Sequence, residues 1–382
     1  MEPRAHLLGL GLACALGPTL EDSLATLRSG APSVGRVRLA DLDEPLDSAY
    51  FRISDGAEPF DPTRLSHLLP PVIEAALNAA RLSTSTRRMM PIFVGSSSFA
   101  IAQSEHHYAH ALRHRPEHAM AMPDAGFGSV ADFAARIAGS DAQTRSWHTA
   151  CTSAANALLA AQRLLAAGHA QHVLVLGVEL ANRTSLGGFQ ALQLLADAVR
   201  PFDARRAGIV LGEGIGAIVM GRARGNSPWH LADGATNSDL HGVTGAHPEG
   251  RVLAAVQQQA LQRAGCRAAD VRAIKAHATG TPANDTAEAR AMHALFLPKL
   301  PPLCTLKPWL GHTLGACGVV ELALFAAALR DGFIPATPAG TQPDPALDVH
   351  PLTSVLPARP GSYLLNQFGF GGNNTSLVLE VD

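Results

Sequence analysis

Short runs of unbroken apolar residues alternate along this chain with longer alanine- and leucine-rich segments, and that alternation constrains the fold more than any other feature. The runs fall at 7–12, 91–94 ("PIFV"), 172–177 ("HVLVLG"), 215–220 ("IGAIVM"), 271–276 ("VRAIKA") and 375–381 ("TSLVLEV"). The longer segments fall at 70–80, 152–167, 252–264, 284–295 and 315–329. A strand apolar on both faces needs cover on both sides, and a helix apolar all round has to be enclosed. The pattern predicts an α/β fold whose sheet is covered by helices on both faces. An internal echo runs through it. "HTACTSAANALLAAQRLLAAG" (148–168) and "GHTLGACGVVELALFAAALRDG" (311–332) share His-Thr, then small residues, then a long apolar stretch closing on Gly. The echo allows a fold of two similar halves meeting near 222–228, "RARGNSP".

With 382 residues, 47% hydrophobic and 16% charged, the chain can bury a large core as two or three domains or one two-part fold. A net charge of −2 gives no footing for nucleic-acid binding. No apolar run is long enough to span a bilayer. Residues 6–16, "HLLGLGLACAL", have the look of a signal-peptide core, but Glu2 spoils a basic leader and Gly17-Pro18 breaks the run. A buried first strand is expected there. Cys14, Cys151, Cys266, Cys304 and Cys317 are odd in number and irregularly spaced, which suits neither a disulfide framework nor a zinc site. A reduced, cytoplasmic protein is expected.

Four stretches could carry chemistry. Cys151 opens an apolar helix, at the positive end of its dipole. A free thiol is only about 3% thiolate at neutral pH, and a downward shift of about two units, ~2.7 kcal/mol, would ionise most of it. A small buried hydrophobe is the other reading of a lone Cys beside alanines. "IKAHATGTPANDTAEA" (274–289) ends a strand at His277, where α/β folds place reactive groups, and also reads as a capped helix start. "LKPWLGHTLGACGVVE" (306–321) holds Lys307 and His312 in one loop, although a lone Lys or His is commonly structural. "LLNQFGFGGNNTSLVLE" (364–380) flanks Phe370 with glycines that permit close backbone approach to a ligand, or forms a plain loop with a packing phenylalanine.

Taken in order, "GLGLACALG" (9–17), "TACTSA" (149–154), "RPFDARRAGIVLGEGIGA" (200–217), "AHATGTPANDTAEA" (276–289), "LKPWLGHTLGACG" (306–318) and "NQFGFGGNN" (366–374) resemble the elongating β-ketoacyl-acyl carrier protein synthases of the thiolase superfamily, of Cys-His-His type. The resemblance covers nearly the whole chain. It implies a five-layered αβαβα thiolase-like fold with two similar halves, residues 1–225 bearing the nucleophile and 226–382 bearing both catalytic histidines. It implies decarboxylative condensation of malonyl-carrier protein with an acyl group held on Cys151, in fatty acid or polyketide/polyene elongation.

By the same resemblance His277 and His312 donate hydrogen bonds to the enolate left by decarboxylation. His at both places separates the chain from chain-initiating relatives, which carry His and Asn. Lys307 with Glu288 as its acidic partner would order the site, with Asp285 in support. The backbone N–H groups of Cys151 and Phe370 would form an oxyanion hole, and the Phe370 ring would gate. Thr279 and Thr281 would bind the phosphopantetheine arm that the carrier protein brings. No metal or bound cofactor is expected. Arg206 falls near the entrance, and Arg87, Arg88, Arg113 and Arg115 are further candidates for meeting an acidic carrier protein. A homodimer or a ketosynthase heterodimer is expected. The alternative is a non-catalytic chain-length-factor-like subunit, a class that usually lacks the cysteine. A coenzyme A-dependent thiolase or decarboxylase is disfavoured by the Lys307…His312 motif and the "GFGG" loop. Ala278 and Cys317 depart from the family pattern, loop 236–250 fits it loosely, and 96–99 lies where the acyl pocket is shaped.

Overall fold

The computed structural model describes residues 4–40, 45–119, 126–338 and 342–382. Its large sheet has ten strands: β1 (Ala5–Cys14), β2 (Ile92–Gly95), β3 (Thr144–Trp147), β4 (His172–Glu179), β5 (Gly214–Gly221), β6 (Trp229–Ser238), β7 (Val271–Lys275), β8 (Leu303–Cys304), β9 (Gly361–Phe368) and β10 (Asn373–Val381). Six helices set its frame: α1 (Arg64–Ala80), α2 (Ser129–Ala138), α3 (Ser153–Ala166), α4 (Arg251–Arg263), α5 (Pro282–Phe296) and α6 (Cys317–Arg330).

The spatial order is β8-β7-β9-β10-β6-β1-β5-β4-β2-β3. Read outward from the centre, β1-β5-β4-β2-β3 on one side repeats as β6-β10-β9-β7-β8 on the other. The pairing senses repeat too. The first two contacts in each set are antiparallel and the last two parallel. In these framework elements each half runs strand, helix, strand, helix, strand, helix, strand, strand. Among the described residues the sets join through Ala5–Leu231 and His6–His230.

Helices α3 and α6 pack on each other and on strands of both sets, forming the middle layer. Helices α1 and α2 cover the outer face of the first set, and α4 and α5 that of the second. The result is the expected five-layered α/β arrangement with two similar halves. The sequence echo falls on α3 and α6, which occupy equivalent places. Every residue of α6 except Arg330 is buried, as its all-round apolar sequence requires. Each such Leu or Val contributes about 1.5–3 kcal/mol. A Cβ on Gly318 would stand 2.3 Å from the Ala155 nitrogen, so glycine there lets the two central helices touch backbone to backbone.

The apolar runs lie in β1, β2, β4, β5, β7 and β10, and the segment at 6–16 is indeed strand. Helix α1 starts at Arg64, earlier than residue 70, and carries Pro70 and Pro71 inside it. The extra turns are fixed from outside. Arg64 is buried against Glu213, and Leu65 and Leu69 enter the core. This anchoring overrides the start signal that Pro usually gives. Strands β6 and β9 escape a search for unbroken apolar runs because they carry Asp233, Asn237, Asn366 and Gln367. No helix among the described residues is long and apolar enough to cross a membrane.

Candidate active site

Cys151 sits in a tight turn between β3 and α3. Ala150 takes a positive φ of 50°, which turns the chain so that the next residue enters the helix mouth. Ser153 and Thr149 brace this turn, with the Thr149 N–H donating to Ser153 Oγ at 2.9 Å. Asn373 Oδ1 accepts from Asn156 Nδ2 at 2.8 Å, tying α3 to the start of β10. The preceding loop, 369–372, is held by Gly369 N to Asn373 O at 2.8 Å and Gly371 N to Val243 O at 2.7 Å. Gly372 has φ 76°, and a Cβ there would lie 1.8 Å from the Asp239 carbonyl oxygen, so only glycine fits. These ties set the Phe370 N–H against the Cys151 sulfur.

Second-half elements supply the nitrogen groups. His277 ends the chain crossing of β7, and Ala278 after it has φ 52°. His312 is clamped between 210 and 212. Its N–H donates to Val210 O at 2.8 Å and its carbonyl accepts from Gly212 N at 3.0 Å. The two imidazole rings meet edge to face with centroids 5.3 Å apart. Cys151, His277, His312, Phe370, Thr279 and Thr281 line one pocket of ≈ 520 Å³, its open mouth included. Phe189 and residues 244–246 complete its mouth, and the Phe189 ring stacks on Phe370 at 5.7 Å. Sequence reading did not single out Phe189, while 244–246 fall in the loop 236–250 that it matched only loosely.

Behind the pocket lies a buried ionic cluster. Glu321 accepts from Lys307 Nζ at 2.8 Å, from Gln367 Nε2 at 2.9 Å, and from Lys275 Nζ in a short contact. Lys307 Nζ also stands 3.4 Å from His277 Nδ1, and Gln367 Oε1 lies 3.0 Å from that same nitrogen. Cys317 Sγ reaches both Gln367 Oε1 and the Cys151 carbonyl at 3.0 Å.

This corrects the expected Lys307–Glu288 pair. The partner of Lys307 is Glu321, on α6. Glu288, nearly two turns into α5, accepts the N–H groups of His277 at 2.7 Å and Ala278 at 2.8 Å, in the segment that leads into its own helix. Asp285 holds Phe202 N at 2.8 Å and Gly280 N at 3.2 Å. Thr281 Oγ1 caps α5 through Asn284 N at 3.2 Å, and lies 3.1 Å from Thr279 Oγ1. Arg206 is not free at an entrance. It pairs with Asp344 at 2.6 Å, donates to the Asp203 carbonyl at 3.0 Å, and is 11% exposed. Arg88 pairs with Asp141, while Arg113 and Arg115 stand exposed around the end of helix Ile101–His114.

The electrostatics correct a second expectation. Burial pushes the Cys151 thiol up to about 11, against the pull of the Phe370 N–H and the Lys307 charge. The resting sulfur is therefore a thiol, because the cost of a buried anion outweighs the helix mouth and one ammonium. Burial, with Lys307 next, holds His277 and His312 well below the usual imidazole range, so both rings are uncharged at neutral pH. Glu288 is pushed up to about 7 by burial, and Asp285 to about 6. Glu321 is drawn down to about 2 because its two lysines overcome burial.

Known proteins share this framework. Residues 8–225 match the family model of the beta-ketoacyl synthase N-terminal domain, and 230–341 that of its C-terminal domain. A 3-oxoacyl-[acyl-carrier-protein] synthase 2 of Rhizobium meliloti is 36% identical over 250 residues, which cover 61% of this chain and 59% of that protein. The first relatives are thus matched over about three-fifths of their length. A synthase of the same name from Staphylococcus aureus is 25% identical over 99% of this chain and 98% of its own. Among solved structures, a chain of the ketosynthase–chain length factor complex of Xenorhabdus doucetiae superimposes with a TM-score of 0.84 at 26% identity, covering 100% of this chain and 98% of that one. The chain belongs to the β-ketoacyl synthase family.

Proposed function

We propose that the chain is a 3-oxoacyl-acyl carrier protein synthase, an acyltransferase that joins carbon to carbon. The observation that carries this reading is one pocket that brings a cysteine from the first half to two uncharged imidazoles from the second. Cys151 Sγ attacks the acyl thioester on the phosphopantetheine arm of a carrier protein. A new S–C bond forms, the bond to the pantetheine sulfur breaks, and the thiol proton ends on the departing sulfur. Malonyl-carrier protein then loses CO2. The electron pair left on its α-carbon attacks the acyl carbon and releases Cys151 as a thiolate, which takes up one proton from solvent to restore the resting thiol. The product is a 3-oxoacyl-carrier protein two carbons longer.

Each step develops negative charge on a thioester oxygen. The N–H groups of Cys151 and Phe370 lie beside the sulfur, where the acyl oxygen must rest. The Lys275–Glu321–Lys307 cluster carries a net positive charge into a buried region. It favours an anionic transition state without contacting it. Thr279 and Thr281, which line the pocket, are the hydrogen-bonding groups proposed for the arm, and Phe370 is the proposed gate. The partners of this reading are an acidic carrier protein and a second ketosynthase-family chain, identical or distinct. Five free cysteines suit a reducing compartment such as the cytoplasm. A purely structural, chain-length-setting role would leave Cys151 and its supports without a task.

The test supplies acyl- and malonyl-carrier protein and follows CO2 release and product mass. Cys151→Ala is expected to abolish condensation while keeping some decarboxylation, and His312→Ala to lose decarboxylation. Full condensation by Cys151→Ala would overturn the nucleophile.

A further inference from the structure

We propose that Gln367 is a positioning residue that locks His277 with its proton on Nδ1, so that the two imidazoles offer the pocket opposite faces: a bare, accepting Nε2 on His277 and a protonated, donating Nε2 on His312. The argument starts at Glu321. An ionised carboxylate only accepts, so the amide nitrogen of Gln367 must be the atom 2.9 Å from Glu321 Oε2. Flipping the amide would set two oxygens against each other in a buried place. With Nε2 fixed on Glu321, Gln367 Oε1 is the atom 3.0 Å from His277 Nδ1. An amide oxygen cannot donate, so Nδ1 carries the proton. Cys317 Sγ also lies 3.0 Å from this oxygen, but its one proton has the Cys151 carbonyl at the same distance, so the Glu321 contact is what fixes the amide.

Lys307 is the competitor, since its ammonium would need a lone pair at Nδ1. It stands at 3.4 Å, beyond the usual range, and has Glu321 at 2.8 Å. The shorter contact decides. On His312 the logic is reversed. Its Nδ1 is buried and finds no hydrogen-bond partner among the described residues. A buried N–H without an acceptor is a rare and costly arrangement, so the proton belongs on the other nitrogen.

The tautomers stand whatever the pocket binds; their chemical meaning rests on the function proposed above. There, His312 alone donates to the enolate oxygen, in place of two like donors. The bare Nε2 of His277 lines the same pocket as Cys151, and once the acyl arm closes the site it is the acceptor for the thiol proton. The proton passes from Sγ to Nε2 as the S–C bond forms, then to the pantetheine sulfur as it departs, and the ring returns to its starting state.

Long-range proton–nitrogen NMR spectra of protein labelled with ¹⁵N-histidine read the tautomers directly. The 17 histidines require assignment by loss of signal in His277→Asn and His312→Asn. The expected wild-type result at pH 7 is an Nδ1-protonated His277 and an Nε2-protonated His312. Gln367→Met removes the acceptor and leaves Lys307 as the neighbour, so His277 should switch to Nε2–H. Acylation of Cys151 from acyl-carrier protein should slow by about 100-fold, the lower end of general-base effects. A wild-type His277 protonated on Nε2 overturns the proposal, as does a His277 signal unmoved in Gln367→Met. Should that variant fail to fold, the wild-type spectrum decides alone. Absence of acyl transfer alongside the expected spectrum would strike the function and leave the tautomers standing.

Discussion

Glu288 in α5 and Glu321 in α6 are the same residue type, equally sealed from water, and each is one contact from His277 or its Gln367 prop. Yet burial pushes Glu288 up to about 7, while Glu321 is drawn down to about 2. The difference lies in what each meets. Two backbone N–H groups offset part of the desolvation of Glu288. Two ammonium groups more than offset that of Glu321. Partial charges arrange a backbone, whereas whole charges are needed to keep a buried carboxylate ionised.

The largest expected effect is that of Glu321→Gln. It strands Lys275 and Lys307 in the interior and should cost about 3–5 kcal/mol in urea denaturation, with activity lost. A loss below about 1 kcal/mol would break the comparison, because the cluster would then not depend on its anion. Glu288→Gln is isosteric and should cost only about 1 kcal/mol near pH 7, where the native carboxyl is already part-protonated. The pH profile sharpens the contrast. The folded chain keeps a proton on Glu288 that the unfolded chain releases above about 4.5, so the contribution of Glu288 to native stability falls as pH rises from there to about 7, against the opposite contribution of the buried His277 and His312. Glu321 works in the opposite sense. Its stabilisation is present above about 4.5 and is lost as pH falls toward about 2. Glu288→Gln should remove the Glu288 share of the profile between about 4.5 and 7, leaving those of Asp285 and the histidines and the lower limb; wild-type and variant profiles that run parallel above pH 5 would refute the raised carboxyl. The smallest effect is that of Thr281→Ala. It removes one cap of α5, about 0.5–1 kcal/mol by thermal unfolding, and raises KM for the carrier-borne substrate more than it lowers kcat.

The same pair of glutamates marks how far the sequence could be read. Cys151, His277, His312 and Lys307 stand in local motifs whose order along the chain names the family, and the structure gathers three of them at the pocket with Lys307 just behind His277. Which acid meets Lys307 is not a local property. Residues 288 and 321 lie on different helices, and only the packing of α6 against both sheet halves turns Glu321 inward. A signal was present nonetheless. Glu321 is the one charge in the otherwise apolar "CGVVELALFAAAL" (317–329), and a charge enclosed on every side has to find a partner. Lys275, ending an apolar strand, is its counterpart on the same reasoning. The state of the Cys151 thiol was less legible, because exposure at a helix mouth depends on loops 239–249 and 369–372 folding over it.

The turn at Ala150 has a twin. In the echo, His148-Thr149-Ala150-Cys151 aligns with His312-Thr313-Leu314-Gly315, and Leu314 repeats the positive φ at 42°. The bend has thus been kept in both copies, but the position matching the cysteine is glycine, and any Cβ there would lie 2.2 Å from the Ser97 nitrogen. The second copy has no room for a sulfur of its own. On the function proposed above, the first copy of this turn alone offers a thiol to the pocket, and the two halves take unequal parts.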